Sequence, residues 1–383
     1  MAAPFSPPQR YAAAALAPIR PGSLRPAAGR RDLGAALLAF LVLLAAFLVL
    51  AAAARADSDG SFVDDAGRQV TLPRHIGKVF VAGPPAATLL YTLAPDMMLG
   101  WSQPLGADAR AMLPARFAAL PVLGRLTGHG QTFDSARLQA LHPDLILDVG
   151  DVDPDYVALA DKIQQQTGIP YVLLNGHLDR TAVTYRRLGQ MLGRQQRAEM
   201  LAHYAEHVLR DLPAAIRTAR NATGSPVWNV YYGRGDGGLQ SAGPGNINLE
   251  LIDLLGFHNV MAGRLPDRLT TTTSAEIIAN RPDVILAQHQ VFLAAIRNAP
   301  DWRGVPAVKQ HRLYVQPVAP FGWGDDPPGV NRLIGAQWLA LELCPHLRWP
   351  GLGKSLTEFY HLFYQVDLTP AQTRALLRTA AAQ

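Results

Sequence analysis

One segment of this chain is written twice. Ser135-Ala136-Arg137-Leu138-Gln139-Ala140-Leu141-His142-Pro143-Asp144-Leu145-Ile146-Leu147-Asp148 returns as Ser274-Ala275-Glu276-Ile277-Ile278-Ala279-Asn280-Arg281-Pro282-Asp283-Val284-Ile285-Leu286-Ala287. Each copy reads as a short amphipathic helix, a Pro-Asp break and a buried apolar strand. Two copies so far apart do not make a solenoid, whose units stack directly on one another. They point instead to two similar α/β lobes. Lobes that face each other leave a cleft, and clefts between domains are favoured ligand sites.

The surrounding pattern agrees. Strands are expected at 78–82, 97–101, 145–148 and 171–174, with helices at 86–93, 134–141 and 156–167 between them. From 179 to about 219 the strand signal stops. Leu188, Met191, Leu192, Met200, Leu201, Tyr204, Val208 and Leu209 recur there at helical spacing, with Gly189 and Gly193 weakening the middle. A long helix joining the lobes is expected. The second lobe repeats the order, with strands at 227–232, 284–287 and 313–316 and helices at 248–255 and 331–343. Gly256 suits a helix C-terminus, and Ser274 suits the N-cap of the second copy. A helical tail follows at 355–383, in which Leu356, Phe359, Tyr360 and Phe363 are expected to pack on a lobe. The expected organisation is a leader (1–56), an N-terminal α/β lobe (57–178), a connecting helix (179–220), a C-terminal α/β lobe (221–344) and a helical tail (345–383). The fold class is α/β: two Rossmann-like lobes with mostly parallel sheets, joined by a long rigid helix, with the ligand cleft between them.

The net charge of +5 comes from the leader, which holds six arginines and one acid, Asp32. The remainder is close to neutral, so the chain as a whole offers no argument for nucleic-acid binding. Residues 1–33 are basic and rich in Pro and Ala, and 34–54 form an uncharged apolar run. Ala54-Arg55-Ala56 fits the small-x-small pattern of a signal-peptidase site. The run is also long enough to remain as a membrane anchor. Under either reading the positive flank stays cytoplasmic and the bulk of the chain is exported. Arg30-Arg31 matches a twin-arginine signal poorly. Cys344 is the only cysteine, so no intramolecular disulfide forms and no cysteine after the apolar run can carry a lipid. It reads as a small buried hydrophobe.

In such sheets ligands bind beyond the carboxyl ends of the strands. Those ends carry Gly83-Pro84-Pro85, Trp101, Gly128-His129-Gly130, Gly150-Asp151, Asn175-Gly176-His177, Tyr231-Tyr232-Gly233-Arg234, Gln288-His289 and Pro320-Phe321-Gly322-Trp323-Gly324. Aromatic faces grip rigid ligands, Arg grips anionic oxygens, and Gly admits close backbone approach. The candidate ligand-binding residues are therefore Pro84, Trp101, His129, Tyr232, Arg234, His289, Phe321 and Trp323. Trp101 and Tyr231 also fit an ordinary core. The glycine-rich loop at 233–238 lacks both the Lys-Ser/Thr of a P-loop and the order of a dinucleotide fingerprint. One motif suggests an enzyme: His203-Tyr204-Ala205-Glu206-His207 matches the inverted zinc-peptidase pattern H-x-x-E-H. It lies amid arginines in the expected connecting helix, outside its usual context, and no nucleophile elbow or cysteine–histidine pair accompanies it. No catalytic role is expected.

From about Phe62 to its C-terminus the chain resembles the class III periplasmic binding proteins of ABC importers for iron–siderophore complexes, haem and cobalamin. The resemblance is carried by Asp64-Asp65-Ala66-Gly67-Arg68-Gln69-Val70-Thr71-Leu72-Pro73, by the doubled segment, by Leu254-Leu255-Gly256-Phe257-His258-Asn259-Val260 and by the paired lobes. The stretch from Pro320 to Gly335 is similar to a branch that includes iron-complex and molybdate binders. The resemblance implies a rigid, monomeric periplasmic receptor without catalysis or cofactor. It would carry a metal chelate, a ferric siderophore first among the candidates, to a membrane permease and its ATPase. A molybdate-like oxyanion would instead need donors such as Arg234 converging on a small pocket. Members of the family dock through a surface acid on each lobe. Glu276 is placed to be the second-lobe acid, whereas the first copy offers Ala136 and Arg137, with Asp134 nearby. A single helix between the lobes also implies small closure on binding.

Overall fold

Each lobe begins with a strand that the doubled segment then joins, and the Pro-Asp step makes the joint. The computed structural model describes residues 60–127, 134–344 and 346–381. The expectations for 1–56 and for His129 lie outside them. Strands β1 (Gly60–Val63) and β2 (Gln69–Leu72) form an antiparallel hairpin. Strands β3 (Val79–Val81), β4 (Leu145–Gly150) and β5 (Tyr171–Asn175) make a parallel sheet in that order. The second lobe contains β6 (Asn229–Gly233), β7 (Gln240–Ser241), β8 (His258–Asn259), β9 (Thr270–Thr271), β10 (Val284–Ala287) and β11 (Leu313–Val315). Of these, β11-β10-β6-β8 form a parallel sheet in that order, and β7 pairs with β9.

In the first copy, helix Ser135–Ala140 ends, His142 turns into the left-handed region at φ 47°, and Pro143 blocks further helix. Asp144 then ties β4 to β3. Its Oδ2 accepts the N–H groups of Gly77 and Lys78, both at 2.8 Å, and its own N–H donates to the Lys78 carbonyl at 2.8 Å. The second copy does the same after helix Ser274–Ala279, with Arg281 at φ 46°. Asp283 N–H donates to the Asn229 carbonyl at 2.8 Å, and its Oδ2 accepts from Asn229 N (3.2 Å) and Nδ2 (2.8 Å). In both lobes, therefore, the aspartate sets the pairing of its own strand with the strand that opens the sheet, Val79 opposite Leu145 and Val230 opposite Val284. Both helices are capped by an oxygen at the residue before them. Asp134 accepts from Ala136 and Arg137, and Thr273, rather than the expected Ser274, forms a capping box with Glu276.

Two expectations need correction. First, 179–220 is not one helix. Thr181–Met191 ends at Leu192, Gly193 (φ 66°) turns the chain, and Gln195–Thr223 runs back as the second arm of a helical hairpin. Gly189 lies against Ala198 with no room for a side chain. Only the 29-residue helix Gln195–Thr223 is long enough to span the lobes, at about 43 Å. Its buried stripe is Leu201, Ala205, Val208, Leu212, Ile216 and Ala219. Second, 97–101 is not a strand. Met98 and Trp101 each make one isolated bridge, to Val79 and Val122. The helical tail packs inward as expected, and it touches both lobes. Leu352–Phe359 runs on through a wider turn at Tyr360–Tyr364, and Pro370–Ala381 follows. Phe359, Tyr360, Phe363 and Tyr364 are fully buried. The Tyr364 ring stacks on Tyr91 of the first lobe at 5.9 Å, while the Tyr360 hydroxyl donates to the Ala319 carbonyl of the second. Phe363 packs on Tyr204 of the spanning helix at 5.3 Å. The tail is thus an aromatic wedge. Cys344 is buried. Among the described residues no helix is long and apolar enough to cross a membrane.

Each carboxylate side chain accepts two hydrogen bonds at its joint, so Asp144→Ala and Asp283→Ala should each lower unfolding free energy by about 1–3 kcal/mol. Asparagine at either site, which keeps an acceptor oxygen, should recover much of the loss in urea unfolding.

Candidate functional site

The two lobes meet at two chemically different places. The first is a polar clasp built around Arg332, which opens helix Arg332–Leu343 and is only 2% exposed. Its Nη1 donates to the Ile247 carbonyl (2.9 Å) and to Glu250, its Nη2 to the Gly176 carbonyl (2.6 Å), and its Nε to the Gly329 carbonyl (3.1 Å). Gly176 belongs to the first lobe and the other acceptors to the second. Glu250 reaches back across the same seam. It accepts the Leu178 N–H at 2.9 Å and pairs with His177 Nδ1 at 2.8 Å, while His177 Nε2 lies 3.4 Å from Asp151. Asp151 and then Glu250 push the His177 imidazole from its ordinary 6.5 to about 10, against the opposing effect of burial. His177 is therefore a cation at neutral pH. Gly176 fits closely here: a Cβ would sit 3.1 Å from the Gly150 backbone and 3.2 Å from the Ile247 side chain.

The second meeting place is a cavity of about 230 Å³. The first lobe contributes Pro84, Thr88, Trp101, Ser102 and Asp108, and the second contributes Phe321, Gly322 and Asp326. Pro84 starts a helix directly after β3. The Trp101 ring stacks on Tyr91 at 5.5 Å, its Nε1 donates to the Phe117 carbonyl at 2.9 Å, and it tilts against Phe321 at 5.9 Å. Phe321 is positioned in turn by Asn331, whose Nδ2 donates to the Phe321 carbonyl at 2.8 Å. Trp101 is thus core on one side and cavity wall on the other.

Of the residues singled out in the sequence, Pro84, Trp101 and Phe321 come together at this cavity. The others do not. Trp323 is fully buried against Trp338, with its Nε1 donating to the Ala319 carbonyl at 3.0 Å. It supports the loop from beneath and offers no face to a ligand. Tyr232 is buried at the end of β6. Arg234 is ion-paired with the wholly buried Asp325, so its charge is already balanced. His289 precedes helix Gln290–Arg297, away from the cavity lining. Glu276 and Asp134 are both exposed helix caps. The Glu276 carboxylate accepts from Thr272 Oγ1 at 2.6 Å and Thr273 N at 3.0 Å, which lowers its pKa.

The H-x-x-E-H motif does not assemble. Glu206 pairs with Arg186, His203 lies 2.7 Å from Glu199, and His207 lies 2.7 Å from Asp211 while stacking on Trp349. Among the described residues no group of three His, Cys, Asp or Glu side chains is placed to hold a metal ion. The sequence reading missed Arg332, Glu250, Ser102 and Asp326. His177 and Asp151 stood among the strand-end residues, but Glu250, the other carboxylate partner, did not.

Two parallel-sheet lobes, a single spanning helix and a cleft between them define a binding protein of the periplasmic type. The chain belongs to the periplasmic binding protein family, whose model matches residues 118–319. It is 24% identical over 358 residues to the molybdate-binding protein MolA of Haemophilus influenzae, covering 86% of this chain and 97% of that one. Among solved structures it is similar to an ABC transporter solute binding protein from Sulfurospirillum deleyianum, with a TM-score of 0.74 and 25% identity over 84% of this chain and 100% of that one. It also shares its fold with an ABC-type Fe3+-hydroxamate transport protein from Saccharomonospora viridis, at a TM-score of 0.54 and 19% identity over 74% and 98% of the two chains.

The clasp yields two expectations. Glu250→Gln leaves Arg332 buried without its counter-charge and should cost about 3–5 kcal/mol in denaturant unfolding. His177 binds its proton more tightly when folded, so its stabilising contribution is complete below about pH 6.5 and is lost as pH rises through about 10. Unfolding free energy should decline across that window, and His177→Gln should flatten the decline.

Proposed function

We propose that this protein is the substrate-binding component of an ABC importer, that it takes up a metal chelate between its lobes in the periplasm, and that it delivers the chelate to a membrane permease coupled to an ATPase. One observation carries the reading. Trp101 and Phe321, from opposite lobes, meet at the wall of a single cavity, so a ligand seated there touches both halves at once. Aromatic rings held in place by neighbours present apolar contact area to a rigid chelate at little entropic cost. A volume of about 230 Å³ is below the roughly 300–1,000 Å³ of pockets that enclose drug-sized ligands. The cavity therefore receives one face of a chelate rather than all of it. Asp134 and Glu276, at the starts of the two doubled helices, are the proposed contacts to the permease.

A molybdate-like oxyanion is the second reading. It is favoured by the name of the relative matched over nearly its whole length and by the small cavity.

Intrinsic tryptophan fluorescence of the purified full chain tests both. Ferric siderophores, haem, cobalamin and molybdate form the panel. Saturable quenching by one ferric chelate is expected, weakened about tenfold by Trp101→Phe and unchanged by His203→Ala. A response to molybdate alone would transfer the assignment to the oxyanion. Silence across the panel would remove the receptor reading.

A further inference from the structure

The cavity has a charge and a polar atom that the receptor reading does not use. Its only charged side chains among the described residues are two carboxylates, Asp108 from the first lobe and Asp326 from the second. No Lys, Arg or His is among its described lining residues. Arg234, the side chain that the sequence offers to an anion, is taken by Asp325. Ser102 also lines the cavity. It is 3% exposed, and its hydroxyl has no hydrogen-bond partner in the protein.

We infer that the cavity selects a chelate whose outer surface is uncharged or positively charged, and that the Ser102 hydroxyl is the group that orients it. This rests on the receptor reading above and narrows its ligand class. An anion would give up hydration to enter a space flanked by two exposed carboxylates and would gain no opposing charge from the described lining. A cation is drawn by the same carboxylates and by the aromatic faces of Trp101 and Phe321. A buried hydroxyl without a partner destabilises the protein that carries it. A ligand that supplies the missing partner recovers that loss, and an analogue lacking the matching group does not. Ser102 therefore weakens the empty protein and strengthens the loaded one.

The test is calorimetric titration of the full chain with four probes: ferrioxamine B, which is positively charged; ferrichrome, which is uncharged; ferric enterobactin, a large anion; and molybdate, a small one. The two non-anionic probes should bind at least about tenfold more tightly than either anion. The double variant Asp108→Asn, Asp326→Asn should weaken ferrioxamine B about three- to tenfold and leave ferrichrome within about twofold. Ser102→Ala should raise the melting temperature of the ligand-free protein by a few degrees while weakening both non-anionic probes. An anion binding most tightly, or a double variant without effect on ferrioxamine B, overturns the charge selection and leaves the receptor reading standing. A Ser102→Ala protein that loses stability and affinity together shows a structural hydroxyl and overturns its orienting role. Failure of all four probes to bind overturns the receptor reading and this inference with it.

Discussion

The arrangement of the lobes depends on one buried cation. Arg332 cannot be desolvated without partners, and the partners it finds are scattered over Gly176, Ile247, Glu250 and Gly329. A guanidinium is planar and its donors point in fixed directions, so satisfying all of them permits few relative positions of the two lobes. Glu250 tightens the constraint by accepting from His177 and Leu178 on the far side. Such a network adds little net stability over an apolar seam, but it penalises misplacement severely. Its value lies in geometry rather than in cohesion.

The spanning helix and the aromatic tail work with this constraint. The helix Gln195–Thr223 keeps the lobes connected by one stiff element, and the aromatic tail fills the space beside it. Phe321 thereby stays opposite Trp101, because its loop is held by Asn331 and underpinned by Trp323. A binding surface assembled in this way is formed before the ligand arrives. Little of the binding free energy is then spent on ordering it.

The sequence showed most of what is local. The doubled helix–Pro-Asp–strand segment was legible because apolar spacing and the proline stop act over a few residues, and both copies obey them. The caps were nearly as legible, although Thr273 won the role over Ser274 by one position. The hairpin at 192–194 was hidden, since the apolar stripe continues through Gly193 and only the close packing of Gly189 on Ala198 shows that the chain doubles back. The clasp was legible only in its first-lobe half, as the strand-end residues Asp151, Gly176 and His177. Arg332 and Gly176 are 156 residues apart, and nothing near either one announces the other. Trp101 and Trp323 pose the same difficulty in reverse. Both follow a glycine directly, yet one reaches the cavity and the other is fully buried, a distinction made by tertiary packing alone.

The aromatic wedge has a consequence for biosynthesis. Phe359, Tyr360, Phe363 and Tyr364 lie near the end of the chain, yet they contact Tyr91 near its beginning and Ala319 in the second lobe. Both lobes leave the ribosome before the residues that fill the space between them. The nascent protein is therefore two adjacent halves with an exposed apolar seam until the last helices are made. A chain stopped a few dozen residues early would retain every strand of both sheets and still lack the aromatic wedge between them.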